Sequence, residues 1–222
     1  MPAVSFEWDN DLNPDDLKMP ERALHRQTVD LLALGATERL GPAVWVFRDL
    51  NWYPDDGAGP VAPDIMVLPR SALDELPTSY RQEDVVGPPP LVVVEVASDS
   101  DTFASLRAKA HRYRRLGTTA YVVVLDDDQC VLRLGPSDVE LVSWTAEPIP
   151  ELGDLCLEFA DGEPLLTLPD GTTGRSDADL MAAMRRRAEV AEGRAEVAEG
   201  RAEALAAQLR VLGVEPADID DR

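Results

Sequence analysis

Long apolar runs are absent from this chain. No stretch approaches the roughly 20 consecutive apolar residues that a membrane-spanning helix needs. Its first residues, MPAVSFEWDNDLNPDD, are acidic where a secretory signal would be basic and then apolar. A cytoplasmic protein with no membrane partner is therefore expected. Cysteine is scarce: Cys130 and Cys156 sit in the apolar, strand-like contexts QCVLRL and DLCLEF. Two such residues make neither a disulfide framework nor metal-site spacing, so both are expected to be small, slowly reacting core residues. Histidine is equally rare. With only His25 and His111 present, a zinc site of the His/Cys type is disfavoured, and any metal has to be held by oxygen. Basic residues number 21 against 42 acidic ones, for a net charge of -21. That balance opposes a broad electrostatic grip on nucleic acid, whose affinity comes largely from cations neutralising phosphates. Arg107, Arg112, Arg114 and Arg115 nevertheless crowd one segment, and local field rather than total charge governs docking.

Residues 91–95, LVVVE, stand out against this background. Four apolar residues in succession, three of them β-branched, read as a strand covered on both faces, since a half-exposed strand alternates. Glu95 ends it, and a carboxylate at the edge of so apolar a run is costly to desolvate unless a cation holds it. Earlier in the chain, Pro20, Glu21 and Gly35 read as start and stop signals of a helix. On that helix His25 shares a face with Glu21, a pattern that suits a solvated surface. A strand follows near residues 43–47, then the turn-rich loop NWYPDDGAGPVAP, which leads into Asp64 and the strand IMVL. If the Asp64 and Glu95 strands are antiparallel neighbours, the start of one lies beside the end of the other and the two carboxylates converge.

After Glu95, SDSD supplies helix-capping residues for a helix near residues 103–116, stopped by Gly117. Phe103, Leu106, Ala110 and Tyr113 form one apolar stripe, and Lys109 falls beside it. The chain has only one other lysine, Lys18, so this sequence uses arginine wherever a generic cation serves. A lysine on the inward side of this helix suits a need for a compact point charge. The segments TAYVVVLD, QCVLRL, VELVSW and LCLEF read as further strands. A helix followed at once by a strand makes a parallel neighbour, so the sheet is expected to be mixed, with helices packed on it.

Five segments follow from composition. Residues 1–19 read as an irregular arm, 20–161 as the α/β domain, 162–177 as a Pro-, Gly-, Thr- and Asp-rich linker, 178–213 as a heptad helix and 214–222 as a tail. RAEVAEG occurs twice, from Arg187 and Arg194, and RAEALAA continues it from Arg201, so the period is seven. A three-four seam runs from Met181 and Met184 through alanines to Leu205, Leu209 and Leu212. That is the pattern either of a coiled coil through which residues 178–213 would join copies of the chain into homo-oligomers, or of a single solvated helix stabilised by Arg and Glu pairs. Gly193 and Gly200 on its outer face lower helix stability by about 1 kcal/mol each relative to Ala.

Pro63-Asp64, the strand ending in Glu95, the EVxS run from Glu95 to Ser98, Lys109 with Tyr113 on the helix, and the YVVVLD strand together resemble the Uma family of restriction endonucleases, within the PD-(D/E)XK nuclease superfamily. The likeness covers roughly residues 17–160. It implies a restriction-endonuclease-like α/β core with a mixed sheet flanked by helices, and DNA as substrate. It also implies Asp64 and Glu95 as ligands of Mg²⁺, or of another oxygen-liganded ion such as Mn²⁺, and Lys109 as the cation at the reacting phosphate. Glu21, Tyr113 and Ser98 would be accessory residues. One departure stands: the superfamily lysine two residues after the glutamate is replaced by Ala97, and Lys109 on the helix matches the family's own lysine. The other reading is a non-catalytic assembly protein that keeps the nuclease fold and acts through its coiled coil, with Glu95 and Lys109 a satisfied buried pair.

Overall fold

The computed structural model describes residues 20–211, apart from 55, 57–58, 74–76, 83–86, 99, 126–129, 135–140 and 145–147. The arm expected at 1–19 and the tail at 214–222 lie outside the described residues, as do the side chains of Glu21, Phe103 and Cys130. The chain divides into two compact units, residues 1–180 and 181–222.

The first unit is built on a six-stranded mixed sheet. In chain order its strands are β1 (Val44–Arg48), β3 (Ile65–Pro69), β5 (Val92–Val96), β6 (Ala120–Leu125), β7 (Cys130–Leu134) and β8 (Leu141–Trp144), and they lie side by side in that order. The pair β3–β5 is antiparallel and β5–β6 is parallel, as the intervening helix α2 (Phe103–Arg115) requires of a crossover. All five residues of β5 are buried, which fits a strand covered on both faces. One face, carrying Met66, Leu68, Val93, Tyr121 and Val123, packs with Leu106, Ala110 and Tyr113 of α2. Helix α1 (Pro20–Leu40) packs on β1 and β5. Two short strands, β2 (Trp52–Tyr53) and β4 (Tyr80–Arg81), pair in parallel as a separate ribbon.

The expected stop of α1 at Gly35 is corrected: the helix runs on to Leu40. A Cβ at Gly35 would stand 2.6 Å from Leu166 Cδ2 and 3.0 Å from Leu155 Cδ1. Glycine is there to let the helix approach its neighbours closely, which outweighs its poor helix propensity. The linker expected at 162–177 is corrected too. Residues 156–174 form a three-stranded antiparallel sheet of β9 (Cys156–Ala160), β10 (Glu163–Thr167) and β11 (Thr173–Gly174). Asp161 and Gly162, at φ of 60° and 77°, make the two-residue turn between β9 and β10. Leu157, Phe159, Leu166 and Leu168 are buried, and α1 packs on β10. Half-buried Cys156 lies on β9, where burial, and then Glu158, raises its thiol pKa and keeps it a poor nucleophile.

Helix α3 (Asp177–Val211) starts from Ser176, whose hydroxyl accepts the Asp179 N–H, and sends Leu180 into full burial against the backbone at Gly174. Leu180 therefore belongs to the first unit. A chain ending at Asp177 is expected to be less stable than one ending at Met184 by about 2–5 kcal/mol, the cost of losing a buried leucine. Equal thermal unfolding midpoints for the two truncations would put the boundary back at 177. In the second unit the seam residues Ala188, Ala191, Ala195, Ala198, Ala202 and Leu205 are exposed, as are Val190 and Val197 outside that seam; Leu212 lies outside the described residues. Among the described residues no helix is long and apolar enough to cross a membrane.

Candidate functional site

Strand register brings the two carboxylates together. In β3–β5, Ile65 faces Val94 and Met66 faces Val93, so one further step of that register sets Asp64 opposite Glu95. Side chains alternate along a strand, so Asp64 shares the face of Met66, and Glu95 that of Val93, the face covered by α2. Asp64 is anchored where β3 begins: its Oδ2 accepts the Val96 N–H at 2.7 Å, and its own carbonyl accepts the Asp49 N–H. His25 of α1 also reaches it, with Nε2 3.5 Å from Oδ2. That contact raises the pKa of His25 and outweighs burial, which pulls it down. Among the described residues no donor reaches Asp64 Oδ1.

Glu95 is buried. Its Oε2 accepts from Lys109 Nζ at 3.0 Å and its Oε1 from the Tyr113 hydroxyl at 2.8 Å. Both donors come from α2, one turn apart, because i and i+4 share a face. Burial pushes the Glu95 carboxyl up; Lys109 and Tyr113 pull it down without cancelling that push, and Asp64 adds to the rise. The ammonium of Lys109 is pulled down by burial, but Glu95 and Asp101 more than offset this and leave its pKa raised. Beneath Glu95, the Tyr113 ring is stacked on Trp52 at 6.0 Å and packs on Tyr121 at 5.3 Å.

Of the residues singled out by sequence, Asp64, Glu95, Lys109 and Tyr113 meet in one place. Ser98 lies on the loop behind Lys109 and points elsewhere: its Oγ and N–H both donate to Asp101 Oδ2, at 3.0 Å and 3.2 Å. Glu21 falls in the first turn of α1 and its side chain lies outside the described residues. Helix α2 is capped by Thr102 and Ser105 in a reciprocal box rather than by the SDSD run. Sequence reasoning missed Asp101, whose Oδ1 lies 3.4 Å from Lys109 Nζ, and assigned His25 to a solvated face. In the arginine cluster, Arg112 holds Asp56 through two bonds at 3.0 Å and 3.2 Å and also donates to the Gly59 carbonyl. Arg107, Arg114 and Arg115 are exposed.

The donor set suits a hard cation. Mg²⁺ is held by one or two carboxylates and keeps several waters. Asp64 retains an oxygen that receives no donor among the described residues, and Glu95, an acceptor of about four hydrogen bonds when ionised, has capacity beyond its two donors. A further positive charge would also offset the burial that still keeps the Glu95 carboxyl raised. Among the described residues no group of three or more His, Cys, Asp or Glu side chains could hold a metal.

The model of a family, Uma2, described as "Putative restriction endonuclease", matches residues 17–161. Among solved structures the chain is similar to a nuclease from Anabaena variabilis ATCC 29413, titled as "putative" and as belonging to DUF820. The two are 16% identical, with a TM-score of 0.49, and the match covers 58% of this chain and 73% of that one. No curated protein matches the chain.

Proposed function

Because the chain belongs to the Uma2 family, we propose that it is a metal-dependent DNA endonuclease that hydrolyses phosphodiester bonds at the Asp64–Glu95–Lys109 cluster. The observation that carries this reading is the Lys109–Glu95 contact at 3.0 Å beside a carboxylate, Asp64, from the neighbouring strand. Asp64 and Glu95 would hold Mg²⁺ or Mn²⁺, with the Val96 carbonyl as a neutral oxygen donor. When bound, such an ion supplies Lewis acidity at the phosphoryl oxygens and makes water more acidic. Lys109 presents a compact charge where negative charge develops on the phosphate, and its ion pairs hold it ready before substrate arrives. Tyr113 keeps the Glu95 carboxylate in one orientation from behind. His25 does the same for Asp64.

The test is cleavage of duplex, single-stranded and branched DNA by the purified full chain at millimolar Mg²⁺ or Mn²⁺. Cleavage is expected with metal and not after chelation. Absence of cleavage on all three substrates would instead favour the assembly reading, in which Lys109 and Glu95 are a structural pair and residues 178–213 drive self-association. The net charge of -21 supports that second reading.

A further inference from the structure

The loop between β5 and α2 holds a second layer of contacts behind Lys109. Asp101 is bonded on both sides. Its Oδ2 receives two donors from Ser98, the N–H at 3.2 Å and the hydroxyl at 3.0 Å, while its Oδ1 faces Lys109 Nζ at 3.4 Å. The Asp101 N–H in turn donates to the Ser98 carbonyl at 2.8 Å, closing the turn on itself. Lys109 thus sits between two carboxylates of different kinds. Glu95 is buried in the sheet, whereas Asp101 is half-buried and held by Ser98.

A lysine side chain has four rotatable bonds, and one ion pair leaves its ammonium free to swing around a single oxygen. A second carboxylate removes that freedom. We infer that Asp101, braced by Ser98, is a positioning residue that fixes the Lys109 ammonium beside Glu95. The serine three residues after the glutamate thereby has a physical role: it touches Asp101, and Asp101 touches Lys109. The catalytic consequence rests on the nuclease reading above, while the positioning itself does not.

Two measurements separate the two. Lys109 shares the chain with only one other lysine, Lys18, so the rate of acylation at each can be followed by mass spectrometry in the full-length protein. Asp101→Ala and Ser98→Ala should each speed acylation of Lys109 several-fold and leave Lys18 unchanged. Ser98→Thr, which keeps the hydroxyl, should restore the wild-type rate. Unchanged labelling of Lys109 in both alanine variants would overturn the inference; faster labelling in Asp101→Ala alone would overturn the part given to Ser98. In DNA cleavage the same two variants should lose about tenfold or more in kcat with KM unchanged, the scale on which small misplacement of a reacting group lowers rate. Faster labelling with wild-type kcat would overturn the positioning role in the reaction. If the wild-type chain cleaves no DNA, the nuclease reading fails and labelling alone decides whether Asp101 fixes Lys109.

Discussion

Replacing Glu95 by Gln, or Asp64 by Asn, is expected to bring metal-dependent DNA cleavage down to background while the protein stays folded. Each change keeps the shape of the side chain and removes one of the two negative charges that would hold the cation, and a divalent ion retained by a single carboxylate and water binds weakly. Lys109→Arg should retain charge yet lose on the order of a hundredfold in kcat, because a planar fork cannot occupy the place of a point charge held between Glu95 and Asp101. Alanine at the same positions is a poorer probe. From the sequence one expects either carboxylate variant to be no less stable than wild type without metal, since it relieves repulsion between like charges. The structure revises this for Glu95: truncation strands the buried Tyr113 hydroxyl, at a cost of about 1–3 kcal/mol, and leaves Lys109 with Asp101 alone. Asp64→Ala removes a half-buried side chain and frees only the Val96 N–H and His25, so its effect on stability should be smaller. Measuring kcat alongside thermal unfolding separates the two effects. Cleavage that survives Glu95→Gln would move the active site away from this cluster.

What could be read from sequence follows the range of the physics. The convergence of Asp64 and Glu95 was legible only conditionally: the two apolar runs are local facts, but their antiparallel pairing is a long-range one that the structure supplies. Lys109 was legible because helical spacing fixes which residues share a face with Leu106 and Tyr113. Gly35 was misread, since a glycine that ends a helix and one that admits a neighbouring leucine look alike until the neighbour is known. Residues 162–177 were misread from their composition. Asp161-Gly162, flanked by CLEFA and EPLLT, is the dipeptide favoured in two-residue hairpin turns, and its left-handed φ values bear that out. Asp101 and His25 could not be found locally. Asp101 meets Lys109 only because the loop folds back through Ser98, and His25 meets Asp64 only through the docking of α1 on the sheet.

Trp52→Ala is expected to cost about 3–5 kcal/mol in unfolding free energy, the usual range for a large buried aromatic, and to disable the site with it. Trp52 is fully buried, and its indole N–H donates to Gln82 Oε1 at 3.2 Å. Its backbone exchanges two hydrogen bonds with Val61, both 2.8 Å, which close the loop running from Asp49 to Asp64. Arg112 reinforces that closure through Asp56 and the Gly59 carbonyl. What the sequence presents as a turn-rich connection is therefore fastened at its waist, and the fastening sets where the chain delivers Asp64. The ring of Trp52 also lies nearly parallel to that of Tyr113, at 11°, and so walls in the residue that orients Glu95. Removing the indole leaves a cavity beside Tyr113 and loosens the entry to β3, so both carboxylates lose their support from one change. Trp52→Phe should keep most of the stacking area, lose the bond to Gln82 and cost less than Trp52→Ala. Denaturant unfolding of the two variants, with kcat measured under conditions where each is fully folded, provides the check. If Trp52→Ala keeps wild-type kcat once folded, the indole stabilises the fold without positioning Asp64 or Glu95.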